Sequence, residues 1–205
     1  FDKPVIIAVR RLLLVKGQSY LIKAFQRLKE KLEMPVQLVI LGEGPLRQEL
    51  TSLSRSLGVA DDVHFPGYQR NPYTWLARSD IFVLPSLAEG FPNALLEAMS
   101  LGLPVIAADC PSGPRELLLE DGASRDPVSE NVYAEYGVLA PRLDQVGRVA
   151  ASEAPPAEAW LVEAMETLMR EPARRQRYGE KAKERARCFS FDKFFQQWQR
   201  IIEKA

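Results

Sequence analysis

The sequence predicts a doubly wound α/β fold, a parallel six-stranded sheet with helices on both faces and further helices at its C-terminal end. Three observations predict it. Short apolar runs without polar alternation, such as PVIIAV (4–9), VQLVIL (36–41) and IFVLP (81–85), read as strands covered on both faces. Longer amphipathic stretches separate these runs, and strand-helix alternation indicates parallel pairing through right-handed crossovers. A length of 205 residues with 46% hydrophobic content is enough for one sizeable core.

The elements follow in order. PVIIAV is the first strand, and QSYLIKAFQRLKEKL (18–32) has helical periodicity, with Leu21, Ile22, Phe25, Leu28 and Leu32 on one side. After VQLVIL, Gly42-Glu43-Gly44-Pro45 turns into a helix through about Leu57. DVHFPG (62–67) is a short strand, and Asn71 to Ala77 a short helix. IFVLP is followed by a helix near 94–101, PVIAA (104–108) by a helix near 114–120, and YGVLAP (136–141) is the sixth strand. Residues 122–135 are polar and irregular, and 144–157 read as a solvent loop. From about Ala157 the chain is helical, broken near Glu171-Pro172. The last piece, SFDKFFQQWQRIIEKA, carries Phe191, Phe194, Phe195, Trp198, Ile201 and Ile202, more aromatic surface than a solvated tail shows, so it is expected to dock. The whole is Rossmann-like, and in such sheets the ligand crevice lies beyond the carboxyl ends of the strands.

Composition narrows the function. Lys+Arg and Asp+Glu are both 27, so the basic excess of a nucleic-acid binder is absent and nucleic acid is not the expected partner. No apolar run reaches membrane-spanning length, and the N-terminus does not read as a signal peptide. Phe1 stands almost directly before a strand, so the chain reads as a fragment. Cys110 and Cys188 form no metal-ligand spacing, which fits a reduced, cytoplasmic setting without a metal.

The stretch EGFPNALLE sets Glu89 and Glu97 eight positions apart around Phe91-Pro92-Asn93. The interval alone carries nothing, because Glu158/Glu166 repeat it on an ordinary surface helix. Its surroundings matter. Ser86 to Asn93 lie on a strand-to-helix loop at the ligand edge; Pro92 cannot continue a helix from upstream, and Asn93 reads as the N-cap. The amides of Ala94 and Leu95 would then face the crevice with the positive end of the helix dipole behind them, an anion site and most simply a phosphate site. Carboxylates repel phosphate, so Glu89 and Glu97 are expected to bind hydroxyl groups, since a carboxylate accepts two hydrogen bonds from a vicinal diol. A phosphate between two diol acceptors describes a nucleoside diphosphate sugar. Arg11 and Lys16, leaving the first strand in RRLLLVKG, supply cations, and Gly17 permits the turn. Neither this loop nor GEGPLR (42–47) is a P-loop or a dinucleotide fingerprint.

These stretches together resemble the C-terminal half of retaining GT-B glycosyltransferases, the group called glycosyltransferase family 4 or glycosyl transferases group 1. The resemblance rests on RLLLVKG (11–17), LGEGPLRQEL (41–50), VHFPGY (63–68), SDIFVLPSLAEGFPNALLEAMSLGLPVIAAD (79–109), GPREL (113–117) and YGVLAP (136–141), in the family's order. It implies that residues 1–190 bind a nucleotide sugar and that 191–205 cross back to an N-terminal acceptor domain. It implies that Arg11 and Lys16 hold the diphosphate and that Glu89 holds the donor sugar. Main-chain amides from Phe91 through Pro92, Asn93 and Ala94 to Leu95 would contact sugar and β-phosphate, Glu97 the ribose, and Tyr68 and Gln69 the base. The implied reaction is hexosyl transfer with retention to a glycan or lipid-linked acceptor, without metal or other cofactor, by a cytoplasmic protein peripheral at the inner face of a membrane. CPSGPREL (110–117) is similar to members that use UDP-linked sugars for surface polysaccharides, so a UDP-sugar is favoured. The chain departs from the pattern at Arg10, where the family usually has Gly.

Other readings stand beside these. Tyr68 is as well explained by packing as by base stacking. His64, the single histidine, lies in an apolar strand and reads as a satisfied structural residue. Ser112, Arg115 and Glu116 border the crevice. A nucleotide-sugar-binding module without catalysis is the alternative to an enzyme.

Overall fold

The structure is a computed structural model that describes residues 2–120, 126–143 and 158–203. In chain order the elements are β1 (Val5–Val9), α1 (Gln18–Lys31), β2 (Gln37–Leu41), α2 (Arg47–Ser56), β3 (Val63–Gly67), α3 (Tyr73–Leu76), β4 (Ile81–Leu84), α4 (Asn93–Ser100), β5 (Val105–Ala108), α5 (Pro114–Leu118), β6 (Val132–Tyr133), β7 (Val138–Ala140), α6 (Glu158–Arg170), α7 (Pro172–Ala186) and α8 (Phe191–Ile202). The sheet runs β3-β2-β1-β4-β5-β7-β6. It has seven strands, not the six expected from the sequence. The extra strand, β6, pairs antiparallel with β7 at the edge, inside the stretch read as irregular. Two residues are too few for any periodicity to show. The segment 144–157, read as a solvent loop, lies outside the described residues, as do 121–125.

Unbroken apolar strands become buried on both sides because alternate side chains enter two cores. From β1, Ile6 and Ala8 meet Leu21, Phe25 and Leu28 of α1 and Leu161, Met165 and Leu168 of α6. Val5 and Ile7 belong to the opposite core, with Leu95, Ala98 and Met99 of α4 and Ala182 of α7. Each such aliphatic or aromatic side chain contributes about 1.5–3 kcal/mol on burial. The two layers hold the carboxyl ends of β1 to β5 in one plane, where the loops begin.

One expectation is corrected here. His64 is exposed on β3, so it is not a packed structural residue. The strand is at the sheet edge, where one flank faces solvent, and Pro66 within it fits that place because a proline cannot donate to a second neighbour. The tail helix α8 carries Phe191, Phe195, Trp198 and Ile202 along one stripe, at 76%, 53%, 50% and 68% exposure, so the face expected to reach another domain is largely open to solvent. Phe191 stacks on Phe195 with ring centroids 6.3 Å apart. The side chains of Phe194 and Ile201 lie outside the description. No helix among the described residues is long and apolar enough to cross a membrane.

Candidate functional site

The strand order reverses between β1 and β4, since one crossover series runs from β1 to β2 and β3 and the other from β4 to β5. Loops diverge at such a point and leave a crevice beyond the strand ends. A cleft of about 880 Å³ opens there, lined by Arg10, Arg11 and Lys16 after β1, by Gly42, Glu43 and Gly44 after β2, by Tyr68, Gln69, Arg70 and Pro72 after β3, and by Asn93, Ala94 and Glu97 of α4.

Main-chain contacts build the frame. The amide of Arg10 donates to the Leu41 carbonyl and that of Leu12 to the Glu43 carbonyl, each at 2.9 Å, so the β1 loop lies along the β2 loop. The Gly42 amide donates to the Gly67 carbonyl at 2.9 Å, joining β2 to β3, and the Leu87 amide donates to the Val15 carbonyl at 2.8 Å, joining β4 to β1. Two glycines permit this closeness. Gly42 has φ +134°, and a Cβ there would sit 1.8 Å from the Arg10 carbonyl oxygen; Gly17 has φ +68°, and its Cβ would sit 1.8 Å from the Pro85 carbonyl oxygen. The buried Gln18 donates from Nε2 to the Arg11 carbonyl at 2.8 Å, which fixes the turn that carries both cations.

Charge is concentrated at the inner end. Oε1 of Glu89 receives Lys16 Nζ at 2.9 Å and Arg10 Nη2 at 3.3 Å, and the Glu89 side chain is 5% exposed. The hydroxyl of Ser112 donates to the Glu89 carbonyl at 2.6 Å, so β5 steadies the loop that β4 launches. Arg10 makes the ion pair without a hydrogen bond from Nε or Nη2. Burial pushes its pKa down, against the pull of Glu89. Burial raises the pKa of Glu97, and Arg10 opposes that shift. Cys110 is buried, donates to the Ser86 carbonyl, and has its thiol pushed up to about 12 by burial first and then by Glu89 and Asp109. It therefore stays protonated at neutral pH and is a poor nucleophile.

Behind the cleft, Asp109 and Arg115 form a buried two-pronged ion pair at 2.5 Å. Asp109 also accepts the Val128 amide at 2.9 Å, and Arg115 donates to the Asp126 carbonyl. The sequence reading named Arg115 only as a border residue and missed Asp109. Arg115 is in fact inside, tying the chain after α5 to the end of β5.

Of the residues singled out in the sequence, Arg11, Lys16, Tyr68, Gln69, Asn93, Ala94 and Glu97 line the cleft. Glu89 lies beneath Lys16 and Arg10. Phe91 is on the rim, 43% exposed, with its ring 5.8 Å from that of Phe189. Pro92 is buried, and Leu95 belongs to the core. Tyr68 is 72% exposed, so packing does not account for it. Two local expectations change. Pro92, not Asn93, is the cap residue of α4, and no side chain caps the helix. The Leu95 amide is taken by the Pro92 carbonyl and the Asn93 amide by that of Phe91, while the Ala94 amide has no partner among the described residues. The sequence reading did not place Glu43 and Arg70, which share the cleft wall; only their positions just after β2 and β3 hinted at it.

The cleft wall thus carries the cations Arg10, Arg11, Lys16 and Arg70 beside the carboxylates Glu43 and Glu97 and the main chain of Ala94. A family model described as glycosyl transferases group 1 matches residues 1–131. An uncharacterised glycosyltransferase of Methanocaldococcus jannaschii is 37% identical over 205 residues, covering 98% of this chain and 50% of that protein. The N-acetylgalactosamine-N,N'-diacetylbacillosaminyl-diphospho-undecaprenol 4-alpha-N-acetylgalactosaminyltransferase of Campylobacter jejuni is 33% identical over 184 residues, covering 90% of this chain and 42% of that protein. The chain thus spans about half the length of these curated relatives. Among solved structures, the pneumococcal O-GlcNAc transferase GtfA, in complex with UDP and GlcNAc, has a TM-score of 0.75 at 20% identity, covering 98% of this chain and 35% of its own. Anabaena HepE, in complex with UDP and glucose, has a TM-score of 0.73 at 22% identity, covering 100% and 49%. At those identities the likeness is one of fold.

Proposed function

From the premise that the chain belongs to the glycosyl transferases of group 1, we propose that it is the donor-binding half of a retaining glycosyltransferase. It takes a nucleoside diphosphate sugar, a UDP-sugar by preference, and its hexosyl group passes to a hydroxyl of a glycan or lipid-linked acceptor. The observation that carries this reading is the cleft at the strand switch, lined by Arg11, Lys16, Ala94 and Glu97, with Glu89 paired to Lys16 at its inner end. A diphosphate fits among the first three, held by charge and by the N-terminal end of α4. Glu97 accepts the ribose hydroxyls and Glu89 those of the sugar. Tyr68 and Gln69 lie where the base extends. The relatives' names and the UDP bound in the neighbouring structures support the same ligand class.

In the mechanism we propose, the bond between the anomeric carbon and the β-phosphate oxygen breaks while the acceptor oxygen attacks from the same face. The acceptor's proton passes to the departing phosphate oxygen, so configuration is kept and no protein nucleophile is needed. Arg11, Lys16 and the helix end stabilise the charge that develops on the leaving group, a preorganised electrostatic role. The acceptor enters from a second domain, toward which α8 turns its aromatic stripe, and the protein works on the cytoplasmic side of a membrane. Calorimetry of this chain with UDP, GDP, ADP and their sugars tests the donor assignment. UDP and UDP-sugars are expected to bind best, with no sugar transfer by the chain by itself. Absence of binding to every nucleoside diphosphate would refute the donor reading, and robust transfer by this chain to a defined acceptor would refute the half-enzyme reading.

A further inference from the structure

We infer that Arg10 is the standing counter-ion of Glu89, a positioning residue that releases Lys16 to the donor's diphosphate; this rests on the donor reading above. The starting observation is that two cations share one oxygen. Lys16 Nζ lies 2.9 Å and Arg10 Nη2 3.3 Å from Oε1 of Glu89, with the Glu89, Arg10 and Lys16 side chains 5%, 13% and 19% exposed. A buried carboxylate does not need both in order to stay charged, but it needs one, because removing the sole partner leaves an uncompensated buried charge.

The two cations are built for different tasks. Lys16 carries a compact ammonium on a flexible stem and lies at the end of a short helical turn, Leu14–Lys16, on the cleft wall. Arg10 is held at its root, where its amide bonds to the Leu41 carbonyl and its own carbonyl lies against Gly42. Its planar, permanently charged guanidinium is the better resident partner for a carboxylate. It also has donors in reserve, since neither Nε nor Nη2 makes a hydrogen bond although both are buried. With the Arg10 and Glu89 side chains 13% and 5% exposed, the pair lies in a medium of lower dielectric than water, where charge pairing is stronger.

The other groups around Glu89 do not take this place. Cys110 and Asp109, from the end of β5, both bear on the same cluster, and Asp109 is committed to Arg115; Glu97, from α4, faces Arg10 and is itself a carboxylate. Charge balance then assigns the parts. With Arg10 and Glu89 as a neutral pair, Lys16 and Arg11 match the two negative charges of a diphosphate diester. Without Arg10, Lys16 would be held to Glu89 as its sole partner and would be withheld from the diphosphate.

Calorimetric titration with UDP and with UMP, on the wild-type chain, Arg10→Gln, Glu89→Gln and the double variant, tests this. Arg10→Gln is expected to lose about tenfold in UDP affinity and nothing for UMP, the scale of one charge-assisted contact. The double variant is expected to regain wild-type UDP affinity, because Lys16 is no longer held. Arg10→Lys, which keeps the cation, is expected to keep most of the affinity. Glu89→Gln alone, which needs no change at Arg10, is expected to bind UDP at least as tightly as wild type. A loss in Arg10→Gln that is equal for UMP and UDP, or that persists in the double variant, overturns the inference, as does weakened UDP binding in Glu89→Gln. If the wild-type chain binds no nucleoside diphosphate at all, the donor reading falls and takes this inference with it.

Discussion

Replacing Lys16 by Ala tests the diphosphate site most directly. The ammonium is 2.9 Å from Glu89 Oε1 and 19% exposed. In the proposed donor complex it exchanges that partner for a phosphate oxygen. A charge-assisted hydrogen bond contributes about 1.5–3 kcal/mol. Arg10 remains beside Glu89, so the departure of Lys16 strands no buried charge. The loss in Lys16→Ala is therefore about 1.5–3 kcal/mol, or roughly ten- to 150-fold in Kd. The loss is confined to ligands that carry the second phosphate, so UDP and UDP-sugars weaken while UMP does not. Glu89 keeps Arg10 as partner, so the midpoint of thermal unfolding is expected to change little. Isothermal titration of the two nucleotides against wild type and variant measures the difference. Equal weakening of UMP and UDP, or no weakening of either, would refute the assignment of Lys16 to the diphosphate.

The remaining predictions concern the pocket acid, the frame and the tail. Burial raises the Glu97 pKa above its ordinary value, so the carboxylate proposed to accept the ribose hydroxyls is lost earlier as pH falls; nucleotide affinity is expected to drop on acidification, and Glu97→Gln to give a weak, pH-flat profile in calorimetry. The same shift means that the ionised acid costs stability, which is fully recovered only at low pH, so Glu97→Gln is expected to raise the unfolding midpoint slightly at neutral pH. Asp109→Asn leaves Arg115 buried without its charge partner and is expected to cost on the order of 3–5 kcal/mol in denaturant unfolding; a loss below about 1 kcal/mol would show that the pair is dispensable. Gly42→Ala must clear a backbone oxygen at 1.8 Å and hold φ at +134°, so a loss on the order of 3 kcal/mol together with weaker nucleotide binding is expected from melting and titration. Hydrogen exchange is expected to be early along α8 and late along β2 and β4, reflecting an aromatic face open to solvent and strands buried throughout.

Much of the fold was legible because its strands are wholly apolar and its helices long. VQLVIL and IFVLP have no other stable place than the middle of a covered sheet, and the observed β2 and β4 fall within them. What escaped the sequence was short or distant. β6 has two residues and owes its pairing to β7. The exposure of His64 follows from an edge position that local hydrophobicity does not encode, although Pro66 in the same strand was a usable sign. Asn93 is a good capping residue by type, but Pro92 occupies the cap position and moves Asn93 into the first turn. In the site, the loops could be placed at the ligand edge from their order along the chain, while the pairing of Glu89 with Lys16 spans 73 residues and that of Asp109 with Arg115 is settled only by burial. Residue type suggested a diol acceptor at Glu89; tertiary contact shows that its charge is already matched by two cations.

The loops around the cleft are joined by main-chain hydrogen bonds, from Arg10 to Leu41, Leu12 to Glu43, Gly42 to Gly67 and Leu87 to Val15. Such bonds do not depend on which side chains the loops bear. The scaffold and the reading head are therefore separable traits: Tyr68, Gln69 and Arg70 are free to drift, or to be redesigned, while the floor beneath them keeps its shape. Laboratory evolution toward a different donor should accumulate changes at those three positions and leave Arg10, Gly17 and Gly42 untouched, since a change at either glycine alters the floor on which every variant relies.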